Sequence, residues 1–345
     1  MLALNDLTIE KMQIQLADLG LKPYRVEQIF RWTASGADDW EQMSNVPLTL
    51  REKLSLQFLL RSVKIITKRQ SRLDSTRKYL MQMHDGALVE SVLMEYKHGF
   101  SACISTQVGC RMGCAFCASA QGGLERNLTP AEMLGQIVAM QNDADVRISN
   151  IVLMGMGEPL DNYANVLDFL HIINNHMGLN IGLRHISVST CGLADKIRSL
   201  ADEGVPICLS VSLHASTDEV RQRIMPVAKR FSLNEVLSAC RFFSGKTGRR
   251  ISFEYILIDG LNDSNDDAKR LARLVAGMPS HVNLIPANPC GDGKFSASNR
   301  VLEFRDRLMK LGVNTTIRRT LGSDISASCG QLRRQSLPSQ PDIIA

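Results

Sequence analysis

Apolar positions recur at helical spacing through the first sixty residues and at strand spacing beyond them. The early pattern predicts short amphipathic helices over residues 7–19, 24–34, 40–43 and 49–58, with Pro23 and Pro47 placed where a helix begins. Residues 62–96 turn strand-like: runs at 78–83 and 90–95 are separated by the turn pair Asp85-Gly86, which predicts a hairpin. From Cys103 onward β-rich runs at 102–106, 150–154, 185–189, 207–213, 251–258, 282–285 and 314–318 alternate with helical segments. Those helices start near Thr129, Asn162, Leu193, Thr217, Leu233, Asp263 and Ser298. Strands joined by helical crossovers form a parallel sheet, so the pattern predicts an α/β architecture. Reactive groups in such folds gather where loops leave the C-terminal ends of the strands.

A chain of 345 residues with 44% hydrophobic content suffices for one large domain and a smaller one. Residues 1–20 carry acids and no continuous apolar run, unlike a secretory signal. The nearest approach to a membrane span, residues 54–66, is interrupted by Gln57, Arg61 and Lys64. Nine cysteines, an odd count, argue against a disulfide framework and for reduced thiols in the cytoplasm. The net charge of +5 is modest, but Arg61, Lys64, Lys68, Arg69, Arg72, Arg77 and Lys78 are opposed within their interval only by Asp74. Such a stretch either neutralises phosphates or is a solvated basic face.

Three cysteines, Cys110, Cys114 and Cys117, lie within eight residues of one another. Spacing alone leaves open a zinc site, an iron–sulfur cluster or no metal. No second cysteine knuckle follows. A 4Fe-4S cluster normally takes four cysteines, so three would leave one iron open for chemistry. Gly155-Met156-Gly157-Glu158 is glycine-rich but lacks the third glycine of a dinucleotide fingerprint, and no His-Glu-x-x-His pattern supports a zinc hydrolase. Cys191, Cys208, Cys240 and Cys290 read as small buried hydrophobes. Cys329 differs, lying in the polar run Ser328-Cys329-Gly330-Gln331. Read alone, Glu90 is a solvent-facing strand carboxylate, and Trp32 and Trp40 belong to a core.

The cysteine run, with Phe116 before its last cysteine, resembles the signature of the radical S-adenosylmethionine (SAM) superfamily. The stretches from Cys103 to Cys110 and from Gln121 to Thr129 are more specific: they resemble the adenine-C2 RNA methyltransferases of the RlmN/Cfr family. So do Gly155 to Leu160, Ser212-Leu213-His214, Asn283 to Pro286, Asp324 to Leu332 and the N-terminal run from Tyr24 to Trp32. The resemblance implies a partial (βα)6 barrel over residues 99–335, a helical RNA-binding domain at 1–60, a hairpin connector at 61–98 and a tail at 336–345.

It further implies a 4Fe-4S cluster on Cys110, Cys114 and Cys117, with SAM contacted by Gly157, Glu158, Ser189, Ser212, Leu213, His214 and Asn288. Ring carbon C2 of adenine is too electron-poor for ordinary methyl transfer. By resemblance, Cys329 first accepts a methyl group, a second SAM supplies the radical that activates it, Glu90 accepts the ring proton and Cys103 resolves the adduct as a disulfide with Cys329. The implied partners are 23S rRNA and tRNA, with an electron donor such as flavodoxin and its reductase; the chain is expected to be a monomer. A C8-methylating resistance enzyme, a zinc-stabilised RNA-binding module and a radical SAM enzyme acting on another substrate remain alternatives. Ala287, Ser326 and the extra thiol Cys191 depart from the family pattern.

Overall fold

The computed structural model describes residues 1–287 and 295–325; Asn288, Cys290, Ser326 and Cys329 therefore lie outside the described residues. Short strands β1 (Leu2–Ala3) and β2 (Phe58–Leu59) pair in parallel and tie the two ends of the N-terminal segment together. Between them lie α1 (Ile9–Gln15), α2 (Pro23–Ala34) and α3 (Leu48–Ser55). Thr8 caps α1 by accepting from the Lys11 amide, and Pro23 opens α2, where a missing N–H costs nothing. The helix expected over residues 7–19 is shorter, because its last turn tightens into a 3₁₀ segment that stops at left-handed Gly20. Residues 40–43 likewise form only a 3₁₀ turn, Trp40–Gln42. Trp32 and Trp40 pack against the core, and the Trp32 indole donates to Asn45 at 2.7 Å.

A sheet of ten strands among the described residues follows. Strands β3 (Val63–Gln70), β4 (Arg77–Met83), β5 (Leu88–Tyr96) and β6 (Gly99–Cys103) form an antiparallel meander. The chain then forms a small clasp, β7 (Gln107–Gly109) against β8 (Leu124–Asn127), around the cysteine run. Helix α4 (Pro130–Ala144) leads to β9 (Ile148–Leu153), which lies parallel to β6. The alternation continues through α5 (Tyr163–Asn174), β10 (Ile186–Thr190), α6 (Ala194–Asp202) and β11 (Cys208–Ser212). After α7 (Asp218–Ile224) and α8 (Leu233–Thr247) come β12 (Ile251–Leu257), α9 (Asn265–Val275), β13 (Ser280–Pro286), α10 (Val301–Lys310) and β14 (Thr315–Ile317). Capping boxes at Thr129/Glu132, Ser232/Glu235 and Ser264/Asp267 start α4, α8 and α9 sharply.

Among the described residues seven parallel strands, β6 and β9 to β14, are joined by six helical crossovers, and the meander extends the same sheet from β6 out to β3. This is the partial (βα)6 barrel. The predicted hairpin is two strands of that meander and belongs to the main sheet. Edge strand β3 lacks a clean alternation because much of it is exposed, and its charged residues guard an open edge.

The basic stretch is less exposed than its sequence suggests. Lys78 is fully buried and bonds Glu90 at 2.9 Å; Glu90 itself is 2% exposed, so it is no solvent-facing carboxylate. Arg61 bonds Asp6, and Lys68 bonds Asp143, which Arg77 also approaches. These acids come from distant sequence, so counting charges within one interval could not find them. Lys64, Lys68, Arg69 and Arg72 remain on the surface. Among the described residues, no helix is long and apolar enough to cross a membrane.

Candidate active site at the strand ends

Two glycine turns bind the clasp around the cysteines. Gly109 has φ +78°, and a Cβ there would meet the Gly123 carbonyl oxygen at 2.0 Å; that oxygen accepts from the Cys110 amide at 2.8 Å. Gln107 donates to Asn127 and Asp161 at 2.8 and 2.9 Å, and its amide oxygen accepts from the Glu158 N–H at 2.8 Å. Asp161 also pairs with Arg111 inside the cysteine run. The Ala115 amide donates to the Ile224 carbonyl at 2.9 Å, tying the run to the end of α7.

A cavity of about 260 Å³ opens beside this run. Cys110, Cys114, Cys117, Gly157, Glu158, Ser189, Ser212 and His214 line it, as six strands and loops distant in sequence bring their ends together. Met154, Ile256 and Ile285 add apolar wall. Gly157 is required here: at φ +103° a Cβ would lie 2.6 Å from that of Gln107. Glu158 is buried, with Oε2 accepting from the Cys191 amide at 2.7 Å and Oε1 from the Leu160 amide at 3.0 Å. Burial pushes its pKa up, and these bonds pull the other way.

His214 is non-glycine yet left-handed, with φ 58°. Its Nδ1 accepts from the Ile256 amide at 3.0 Å, its carbonyl accepts from Asn262 at 2.8 Å, and Phe116 packs edge-on at 4.8 Å. Burial, aided by the charge of Arg221, pushes the imidazole down to about 3. The ring is therefore neutral with Nε2 as its donor.

Leu213 does not reach the cavity. Strand alternation turns its fully buried side chain into the core, and its carbonyl accepts from Arg221. Cys191, read from sequence as a core thiol, instead lines the cavity, whereas Cys240 is fully buried. Cys208 is partly exposed and receives an Arg249 hydrogen bond at 3.2 Å. Asn288 and Cys329 fall outside the described residues.

A second, larger cavity of about 640 Å³ adjoins the first, since Met154, Glu254, Ile285, Pro286 and Arg318 line both. Cys103 opens into it with Val92, directly opposite across β5 and β6. Glu90 lies two residues before Val92 on β5, hence on the same sheet face, with Lys78 beside it. Burial raises the pKa of Glu254, which accepts from Asn283 at 2.9 Å. No disulfide joins any two of the seven cysteines among the described residues; the implied Cys103–Cys329 bond involves Cys329, which lies outside them.

The three cysteines line one cavity wall, and as three thiolates they fit a 4Fe-4S cluster with one iron left open toward that cavity. Burial pushes the Cys110 thiol up to about 12 and the Cys114 thiol upward too, so stable thiolates here call for a strongly positive partner.

Gln107, Asp161, Asn262 and Arg221 are supporting residues that sequence reasoning missed. Gln107, Asn262 and Arg221 hold backbone in place and Asp161 gathers the side chains of Gln107 and Arg111, and a lone polar residue carries no signal of that kind.

The radical SAM superfamily model matches residues 104–274, and the "Ribosomal RNA large subunit methyltransferase N-terminal domain" model matches residues 2–60. The chain is similar to a protein of Alkaliphilus oremlandii named "Probable dual-specificity RNA methyltransferase RlmN", 48% identical over 96% of this chain and 97% of the relative. A protein of the same name from Clostridium tetani is 47% identical, with 97% of each chain covered. The crystal structure of a radical SAM methyltransferase from Sphaerobacter thermophilus shares 42% identity and superimposes with a TM-score of 0.90, covering 96% of this chain and 99% of that one. With the barrel, the three-cysteine cavity and full-length similarity in agreement, the chain belongs to the RlmN family of radical SAM methyltransferases.

Proposed function

We propose that this enzyme methylates C2 of adenine in RNA, both in the peptidyl-transferase region of 23S rRNA and at the adenine 3′ to the anticodon of tRNAs. The observation that carries the reading is the pair of adjoining cavities: the three-cysteine site opens into one, and a cysteine set apart from that run, Cys103, opens into the other. Adjoining cavities let a radical formed in the first reach a substrate held in the second, beside a thiol able to resolve a covalent adduct. The full-length similarity to proteins named dual-specificity RNA methyltransferases supports RNA as the substrate.

Cys110, Cys114 and Cys117 would hold a 4Fe-4S cluster; with SAM bound, it supplies a 5′-deoxyadenosyl radical. Gly157, with no Cβ, lets the ligand lie against backbone, and Glu158, Ser189, Ser212, His214 and Asn288 orient it. His214 does so as a neutral Nε2–H donor. Leu213 helps through the backbone of its strand end. Cys329 accepts a methyl group from a first SAM and gives up one hydrogen of it at the expense of a second, and the carbon that results bonds to adenine. Two SAM molecules are thus consumed per turnover. Glu90, held by Lys78, takes the ring proton. As the carbon–sulfur bond breaks, the Cys103 thiolate bonds the Cys329 sulfur as a disulfide, the released methylene takes a proton to become the methyl group, and the unpaired electron leaves to the electron-transfer partner; an external dithiol reductant then resets the pair.

The adenine must leave its stack to reach these groups, and the larger cavity is sized to receive a base. The N-terminal helices at 1–60 and the surface cations Lys64, Lys68, Arg69 and Arg72 would hold the surrounding RNA. The electron donor is of the flavodoxin class, working with its reductase. The test is anaerobic incubation of the reconstituted enzyme with SAM, reductant and either 23S rRNA fragments or tRNA, followed by nucleoside mass spectrometry. The expected product is 2-methyladenosine; 8-methyladenosine would reassign the regiochemistry, and an unmodified RNA with unmethylated Cys329 would defeat the reading.

A further inference from the structure

Arg221, on α7, is the largest fully buried side chain in the described residues. Its Nε donates to the Leu213 carbonyl at 3.2 Å and its Nη1 to the Phe231 carbonyl at 3.1 Å. Nη2 donates to the carbonyls of Cys191 at 2.7 Å and Ser212 at 3.4 Å. Every one of these acceptors is a neutral backbone oxygen. A buried guanidinium is ordinarily matched by a carboxylate, because an unmatched interior charge costs several kcal/mol. Asp218, the carboxylate whose field acts on it, spends Oδ1 on the Leu233 amide at 2.7 Å.

The position of this charge is informative. Two of its carbonyl partners belong to Cys191 and Ser212, which line the cysteine cavity. Its field reaches the sulfurs of Cys191 and Cys114 and the ring of His214. The helix that carries it is bonded to the cysteine run through the Ala115 amide and the Ile224 carbonyl. A 4Fe-4S cluster with three thiolates carries net negative charge, and one-electron reduction adds another. Net charge nearby is one of the levers that set a cluster's potential.

We propose that Arg221 is the electrostatic counterpart of the cluster, stabilising its reduced form so that an external one-electron donor can charge it. Arg221 is a positioning residue: it touches neither substrate nor the reacting atoms. The inference rests on the cluster reading and is independent of which RNA, or which carbon, is methylated.

The test is an EPR-monitored redox titration of the reconstituted enzyme without RNA or SAM, with iron and sulfide assayed in the same samples. Arg221→Gln, loaded to the wild-type iron content, should show a lower midpoint. At the wild-type midpoint its reduced-to-oxidised ratio should fall about tenfold, a shift of about 59 mV for one electron. Arg221→Lys, which keeps the charge, should restore most of that ratio. A fully loaded Arg221→Gln enzyme with an unchanged midpoint overturns the inference and leaves Arg221 as a cap on strand carbonyls. Where Arg221→Gln fails to fold or load, Asp218→Asn carries the test. It keeps an acceptor for Leu233 but removes the neighbouring negative charge, so the midpoint should rise, with the reduced-to-oxidised ratio up about threefold; an unmoved midpoint in that variant also overturns the inference. Absence of iron in the wild-type preparation would instead defeat the cluster reading.

Discussion

The cofactor cavity and the cavity beside Cys103 share a wall but are built by different means. The first is framed by backbone: glycine turns at Gly109 and Gly157, strand-end carbonyls gathered by Arg221, and main-chain amides that engage Glu158 and His214. The second is framed by side chains, those of the antiparallel meander and of the parallel strands beside it, with the buried Lys78–Glu90 pair on the meander's same sheet face. Backbone-framed sites are preorganised and tolerate few substitutions, while side-chain-framed sites store their function in charges that single substitutions leave unmatched. Lesions in the two should therefore fail in different ways.

The largest separation is expected from the cysteines. Cys114→Ser should lose the cluster, dropping iron from about four atoms per chain to near zero, and abolish methylation. Cys103→Ala should keep full iron and still attach RNA, halting with a covalent protein–RNA species visible on denaturing gels. Iron analysis and gel mobility, run on both variants, check this directly. Loss of iron in Cys103→Ala would merge the two regions into one site.

Next comes the buried pair. Lys78→Met strands a carboxylate that is 2% exposed and should destabilise the fold by about 3–5 kcal/mol in urea denaturation. The double variant Lys78→Met/Glu90→Met should recover most of that loss, since no charge is left unmatched. Glu90→Gln separates chemistry from stability: it should slow methylation by about 10²–10⁴-fold, the usual worth of a general base, with SAM binding intact. A Glu90→Gln enzyme of normal rate would leave the pair a purely structural feature.

The same contrast explains what was legible in the sequence. The barrel was readable because each parallel strand is a short apolar run followed by a helix with a strong start, as at Thr129, Ser232 and Ser264. The expected cofactor residues came from the family resemblance, because spacing alone left the three cysteines open between zinc, a cluster and no metal. Strand β3 was not recognised as an element of its own, because a charged edge strand buries no regular face. The Lys78–Glu90 pair was misread as two surface charges, since the eleven residues between them conceal that β4 and β5 place them side by side. Arg221 was passed over because nothing local distinguishes a buried arginine from one that reaches water.

The smallest expected effect is a pH dependence that belongs to the backbone-framed cavity. His214 in the folded chain titrates at about 3, well below its ordinary value of 6.5, chiefly because it is buried. Above pH 6.5 the ring is neutral in both states and its contribution to stability is complete. As pH falls from there toward 3, the unfolded chain binds a proton that the folded one refuses, so stability declines by about 1.4 kcal/mol per pH unit at most. Glu158 and Glu254 act with the opposite sign, because burial raises their folded pKa values and stability from them fades as pH rises. The difference between wild type and His214→Asn isolates the imidazole, and asparagine tolerates the left-handed backbone of that position. Urea midpoints between pH 7.5 and 5.5 should converge between the two proteins as pH falls below 6.5. Parallel profiles would mean that the His214 ring protonates in place, and that the cavity around Cys114 admits more water than its backbone frame suggests.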